Sequence, residues 1–235
     1  MSSEAPRRAA GTARHAPGTG GLPLVPVLLA LTVVSGLVDA VSYLGLHHVF
    51  TANMTGNIVI LGFAGAGAPG FSVQHTATSL ACFLPGAVIG GRFARRLRAG
   101  TRPRTWTRTA LAMEAVLLGA AAATALAAPA APARAYVMIG LMACAMGLRN
   151  ATVRRLGVPD LTTTVMTRTL AGLAADTWLG GGDGRRSARR VQAVTAMLAG
   201  ATAGAWLVVH DALAVALLIA TATTGALALT ASGRE

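Results

Sequence analysis

Lysine is absent from the 235-residue chain: all 20 basic side chains are arginine, set against only 8 acids. Charged residues make up 12% of the sequence and aromatics 4%. An ordinary soluble domain carries roughly twice that charged fraction, so the scarcity argues against one, and 54% hydrophobic residues exclude a disordered chain. The two cysteines, Cys82 and Cys144, fall inside apolar runs, form neither a disulfide framework nor a metal-binding CxxC pair, and read as small buried hydrophobes. No nucleophile elbow, phosphate loop, HExxH or dinucleotide fingerprint occurs. The expectation is therefore no enzyme, no cofactor and no metal.

What the chain does have is apolar length. A helix needs about 20 largely apolar residues to cross the hydrocarbon core. Six stretches qualify, at roughly 24–46, 76–94, 108–128, 134–149, 190–209 and 212–231. Two more, near 50–68 and 160–179, are apolar but dense in Thr, Gly and Asn. The first 21 residues, rich in Pro, Gly, Ala and Arg, read as a disordered cytoplasmic tail; the apolar run after them is too long for a signal peptide.

The net charge of +12 would suggest nucleic acid in a soluble protein, but these arginines lie between apolar runs and mark membrane topology instead. If 50–68 crossed fully, the cluster from Arg92 to Arg108 would land opposite the basic tail with Arg7, Arg8 and Arg14, against the positive-inside rule. If 50–68 and 160–179 each enter and leave on one side, the conflict disappears. The tail, the 92–108 loop, Arg149, Arg154, Arg155, the 185–190 cluster and Arg234 then share the cytoplasmic face, with Arg134 outside and Arg168 in the second re-entrant segment. The expected fold is an all-α polytopic membrane protein with six transmembrane helices and two re-entrant or half-helix segments. Its 22–235 region forms one integral membrane domain in the bacterial inner membrane, with both termini cytoplasmic.

The two halves, about 22–130 and 131–235, echo each other. Gly36–Ala40 (GLVDA) matches Gly147–Ala151 (GLRNA), the Thr-rich stretch at 50–62 matches 161–173, and Gly86-x-x-x-Gly90 matches Gly200-x-x-x-Gly204. GxxxG alone signals close helix packing. Three ordered matches in register predict a duplication, and the topology makes it inverted. Inverted repeats with interrupted helices recur in secondary transporters, where half-helix N-termini and exposed backbone serve a solute site.

The runs Gly36–Gly62 and Gly147–Ala174, with Asp39, Thr55-Gly56-Asn57 and Gly147-x-x-Asn150, resemble the signature of the YoaK family of bacterial integral membrane proteins, a domain of unknown function. The resemblance implies a polytopic inner-membrane protein and no particular substrate or reaction. Arg168 departs from the small residue expected there by analogy with Gly56.

Candidate site residues follow from the polar positions inside the apolar runs. Asp39 is costly there unless paired, hydrated or neutral; it is either a proton or cation site or gate, or a structural acceptor for the backbone of the first re-entrant segment. Thr51, Asn53, Thr55, Gly56 and Asn57 either line a solute path or cap the helix that starts near Ile58. Asn150, Thr162, Thr163, Thr164, Thr167 and Thr169 invite the same two readings. Arg168 either favours an anion or neutralises Asp160 or Asp176, or snorkels to the inner surface. Glu114 faces either Asp39 or Arg108. His47, His48, His75 and His210 map to the outer face, as a metal or pH-sensing cluster or as scattered interfacial residues.

These readings combine into an expectation: a small secondary transporter or channel-like permease for a small polar or anionic solute, with its site between the two re-entrant tips. The alternative is a non-transporting membrane scaffold or partner subunit. A chain this short makes a homodimer plausible on either reading.

Overall fold

The computed structural model describes residues 22–98, 103–127, 131–156, 166–176 and 187–231. The 1–21 tail, Arg102, Asp160, Thr162, Thr163, Thr164, Asp183, Arg185, Arg186 and Arg234 lie outside the described residues, as do the side chains of Arg96, Arg98 and Arg104. Eight helices are described: α1 (Leu24–Gly45), α2 (Met54–Gly65), α3 (Val73–Arg98), α4 (Pro103–Ala127), α5 (Pro132–Leu156), α6 (Met166–Ala175), α7 (Ser187–Val209) and α8 (Leu213–Thr230). Among the described residues there is no strand, only an isolated bridge between Leu22 and Ala231.

Six of these helices are long and apolar enough to cross a membrane: α1, α3, α4, α5, α7 and α8. The other two are too short. At 1.5 Å per residue, the 12 residues of α2 reach about 18 Å and the 10 of α6 about 15 Å, against roughly 30 Å of hydrocarbon. The fourth span, α5, is longer than its apolar run suggests. It continues past residue 149 to Leu156 because the charge at Arg149 is neutralised inside the bundle.

α1 and α5 are the central helices, and glycines bring their neighbours against them. A Cβ on Gly36 of α1 would strike the Met197 carbonyl of α7, and one on Gly200 would strike the Val33 carbonyl. On the other side, a Cβ on Gly147 of α5 would strike the Phe83 carbonyl of α3, and one on Gly86 the Cys144 carbonyl. Gly204 meets Leu37 and Ala40, as Gly90 meets Leu148 and Ala151. In each pair the contacting residue numbers rise together, so α1 runs parallel to α7 and α3 parallel to α5. The α4–α8 pair is antiparallel: Arg108 meets Ala231, and Glu114 meets Thr224.

Two apolar clusters fill the bundle. One, with Leu24, Val27, Leu28, Leu31, Leu111, Val153, Ala193 and Leu227, lies toward the end where Arg92, Arg95, Arg108, Arg154 and Arg155 gather. The other, with Val34, Val38, Val41, Leu118, Met138, Met142, Met146 and Leu217, lies toward the opposite end. Cys82 and Cys144 are half-buried, and a Cβ on Gly140 of α5 would touch the Cys82 Sγ at 3.3 Å.

Gly200→Leu and Gly86→Leu each drive a side chain into a facing backbone that has no rotamer to give. Each is expected to destabilise the bundle by about 1–3 kcal/mol or more, whereas Gly62→Leu, which meets nothing within 4 Å, stays near the parent. Unfolding in detergent, followed by circular dichroism, checks all three.

Candidate functional site: an arginine-lined cavity at the start of α2

The chain leaves α1 through two consecutive left-handed residues, His47 (φ 62°) and His48 (φ 58°), and turns back toward the bundle before α2. Apolar Val49 and Ala52 bury there, which leaves the backbone amides of Thr51 and Ala52 in need of an acceptor. Asp39 supplies it: its Oδ1 accepts from Thr51 N at 3.1 Å and Ala52 N at 2.7 Å. Of its two sequence readings, this geometry matches the structural acceptor.

Asn57 performs a similar task. Its Oδ1 accepts from Phe50 N at 2.9 Å, and its Nδ2 donates to Phe50 O at 2.6 Å and to Ser79 Oγ at 3.1 Å. Ser79 Oγ in turn donates to Phe50 O at 2.7 Å, which ties α3 into the same clamp. Asn53 Oδ1 accepts from Gly56 N at 3.3 Å and caps α2. Gly56 leaves room for Phe50, whose ring a Cβ would meet at 2.7 Å. Asp39, Gly56 and Asn57 therefore hold the entry to α2 and do not line the cavity beside it.

That cavity, about 980 Å³, is lined by Asn53, Met54 and Thr55 at the start of α2, by Phe83, Ala87 and Gly91 of α3, by Asn150, Arg154 and Arg155 of α5, and by Arg168 of α6, with Ala52, Ala151 and Val153. Four residues singled out in the sequence, Asn53, Thr55, Asn150 and Arg168, thus converge from the two halves of the chain. Thr167 is exposed and Thr169 is buried, and neither lines the cavity. Thr164 lies outside the described residues. Arg154 and Arg155, read from the sequence as topology markers, are lining residues as well.

Arg168 does not neutralise Asp176, whose Oδ2 lies 2.6 Å from Arg190 Nη1; Arg190 also donates to the Gly172 carbonyl and so joins α6 to α7. The largest correction concerns Arg149. It does not lie at the cytoplasmic surface but is buried in the bundle, where it pairs with Glu114. Its Nε and Nη2 both donate to Glu114 Oε1, the Nε at 2.8 Å, while Nη1 donates to Leu31 O and Ser35 Oγ at 2.8 Å each. Thr224 Oγ1 adds a longer contact to the same carboxylate at 3.5 Å. Glu114 consequently pairs with neither Asp39 nor Arg108; the latter donates from Nε to the Ala231 carbonyl at 3.0 Å. A partial signal was available in charge balance, since Asp39 and Glu114 are acids well inside apolar runs and Arg149 closes one, and charges in hydrocarbon pair with one another.

At the opposite end, His47 stacks on His75 with ring centroids 4.1 Å apart, and His75 on Tyr136 at 4.4 Å. His48 packs edge-on against Tyr43, and His210 lies tilted against Trp206 with ring centroids 4.4 Å apart. The described residues contain no group of three side chains able to hold a metal ion.

Removing one partner of the Arg149–Glu114 pair strands the other charge. Arg149→Met and Glu114→Leu are each expected to cost about 3–5 kcal/mol, and the double variant much less than their sum. Denaturant titration of the four proteins in detergent measures the coupling.

Residues 27–230 match the family described as "Protein of unknown function (DUF1275)". The chain is also 36% identical over 150 residues to UPF0700 transmembrane protein YoaK of Bacillus subtilis, a match covering 64% of this chain and 65% of that relative. No solved structure matches it significantly. With six helices fit to span a bilayer and a family match over most of its length, the chain belongs to the DUF1275 family of multi-pass membrane proteins, the family of YoaK.

Proposed function

We propose that this protein is a small secondary transporter or channel-like permease for a small polar or anionic solute, and not an enzyme. The observation that carries the reading is the cavity in which Asn53 and Thr55 of the first half meet Asn150 and Arg168 of the second. A concave site with a few convergent polar groups, set at the start of an interrupted segment, is how membrane transporters hold solutes.

On this reading the halves are an inverted repeat, each of three spanning helices and one re-entrant short helix. The matching glycine contacts support it: Gly36 and Gly147 lie 111 residues apart, as do the Val33 and Cys144 carbonyls that Gly200 and Gly86 approach. So does direction. Arg149 reaches Leu31 and Ser35 near the middle of α1, while Val153 beyond it clusters with Leu24, Leu28 and Leu31, and Met138 and Met142 before it with Val38 and Val41, so the two central helices run oppositely. The arginine-rich end faces the cytoplasm of a bacterial cell by the positive-inside rule, both termini lie on that side, and the cavity, with Arg154 and Arg155 in its lining, opens inward. Asp39 gates or couples transport by holding the segment before α2.

Flux in proteoliposomes loaded against a panel of phosphate, carboxylate and neutral polar solutes tests the reading. Thr55→Ala and Asp39→Asn, which keeps an Oδ1 acceptor, are expected to lower flux roughly ten-fold or more while both proteins elute as folded. Undiminished flux in both variants removes the site assignment. No flux for any solute, together with a stoichiometric co-purifying partner, replaces transport with a scaffold role.

A further inference from the structure

We infer that the cavity takes an oxyanion, a phosphate or carboxylate group held by Arg154, Arg155 and Arg168; this narrows the solute class of the transport reading and rests on it for the purpose of the site.

The lining carries three guanidinium groups, two side-chain amides from Asn53 and Asn150, and the Thr55 hydroxyl, with no carboxylate among the described residues. None of the three arginines has an ion-pair partner among the described residues. Among the described residues, the acids of the neighbouring helices are engaged elsewhere. Asp39 accepts from backbone amides, Glu114 is taken by Arg149, and Asp176 by Arg190.

Three like charges around one concave surface repel one another, and the low-dielectric walls of a membrane protein strengthen that repulsion. A neutral solute leaves it in place, a cation adds to it, and an anion relieves it. The guanidinium fork matches the paired oxygens of carboxylate and phosphate, which a spherical halide lacks. Arg154 lies about one helical turn beyond Asn150 toward the arginine-rich end, while Arg168 comes from a different helix, α6. An oxyanion would therefore bridge α5 and α6, with the Asn53 and Asn150 amides and the Thr55 hydroxyl completing the lining. A volume of about 980 Å³ is at the upper end for ligand pockets, which leaves room for an organic remainder behind the charged group. That remainder belongs either to a free organic anion or to an anionic phospholipid whose headgroup enters the cavity.

The full-length protein in neutral detergent tests this without flux. Its thermal unfolding is followed with increasing sodium phosphate, sodium citrate or phosphatidylglycerol, against sodium chloride at matched ionic strength and against phosphatidylcholine. At least one oxyanion is expected to raise the unfolding temperature saturably. In Arg168→Gln and in Arg155→Gln the half-maximal concentration is expected to rise roughly ten-fold, with the unliganded unfolding temperature not lowered, because both side chains are exposed and each variant removes one of three like charges. A response to phosphatidylglycerol alone assigns the oxyanion to a headgroup, and a response to phosphate or citrate assigns it to a free solute. Stabilisation no greater than that by sodium chloride, or equal in the variants, overturns the inference. Saturable, arginine-dependent binding in a protein that moves no solute keeps this inference and removes transport. Transport of a neutral solute with unchanged kinetics in Arg168→Gln does the reverse.

Discussion

The buried pair of Arg149 and Glu114 is the interaction on which the rest of the bundle depends. It sits in a narrow polar layer between the two apolar clusters: Leu31 and Val34 lie on either side of it in α1, Leu111 and Leu118 in α4, Met146 and Val153 in α5. Through the Leu31 carbonyl, Ser35 and Thr224, the pair reaches four helices at one level. A guanidinium in that position is tolerable only because its N–H groups find acceptors in several directions. The demand is directional, so the layer fixes the axial register of α1, α4, α5 and α8 in a way that apolar packing does not.

The two halves meet the same packing problem with different chemistry. Both use glycine to bring an outer helix against a central one, α7 on α1 and α3 on α5. They diverge at the polar positions that follow. The first half has Asp39, which fastens the backbone ahead of α2, whereas the second has the adjacent pair Arg149 and Asn150, one turned into the bundle and the other lining the cavity. The acid thus stabilises the entry to one short helix, and the amide at the matching place is left available. The asymmetry gives the cavity its charge, since its cationic residues, Arg154, Arg155 and Arg168, all come from the second half.

Much of this was legible in the sequence. Hydropathy and charge placed the six long helices to within about five residues, except that α5 runs seven past its apolar run, and the composition, Thr- and Asn-rich ahead of α2 and Thr-rich ahead of α6, marked the two short helices as different. The glycine matches pointed to the helix contacts that occur. Arg149 was misplaced because a positive charge at the end of an apolar run obeys the same statistical rule whether it lies at a surface or pairs inside; only the position of Glu114 on another helix separates the two cases. Asn57 and Gly56 were grouped with Thr55 for a similar reason. Residues adjacent in a short helix point in different directions, and sequence composition does not say which of them faces the cavity.

The position of α1 in the bundle sets an order of events. It precedes the other described helices in sequence and is among the most enclosed, yet the surface around Gly36 is covered by α7 and its beginning is fastened to Thr230 and Ala231 at the end of α8. α1 therefore acquires its final neighbours only once α7 and α8 are in the membrane. Thr32 and Ser35 do not need those neighbours as acceptors, since their hydroxyls donate within the helix to the Leu28 and Leu31 carbonyls. The enclosure of α1 is thus completed by contacts of long sequence separation, the kind whose loop-closure cost must be met before they contribute stability.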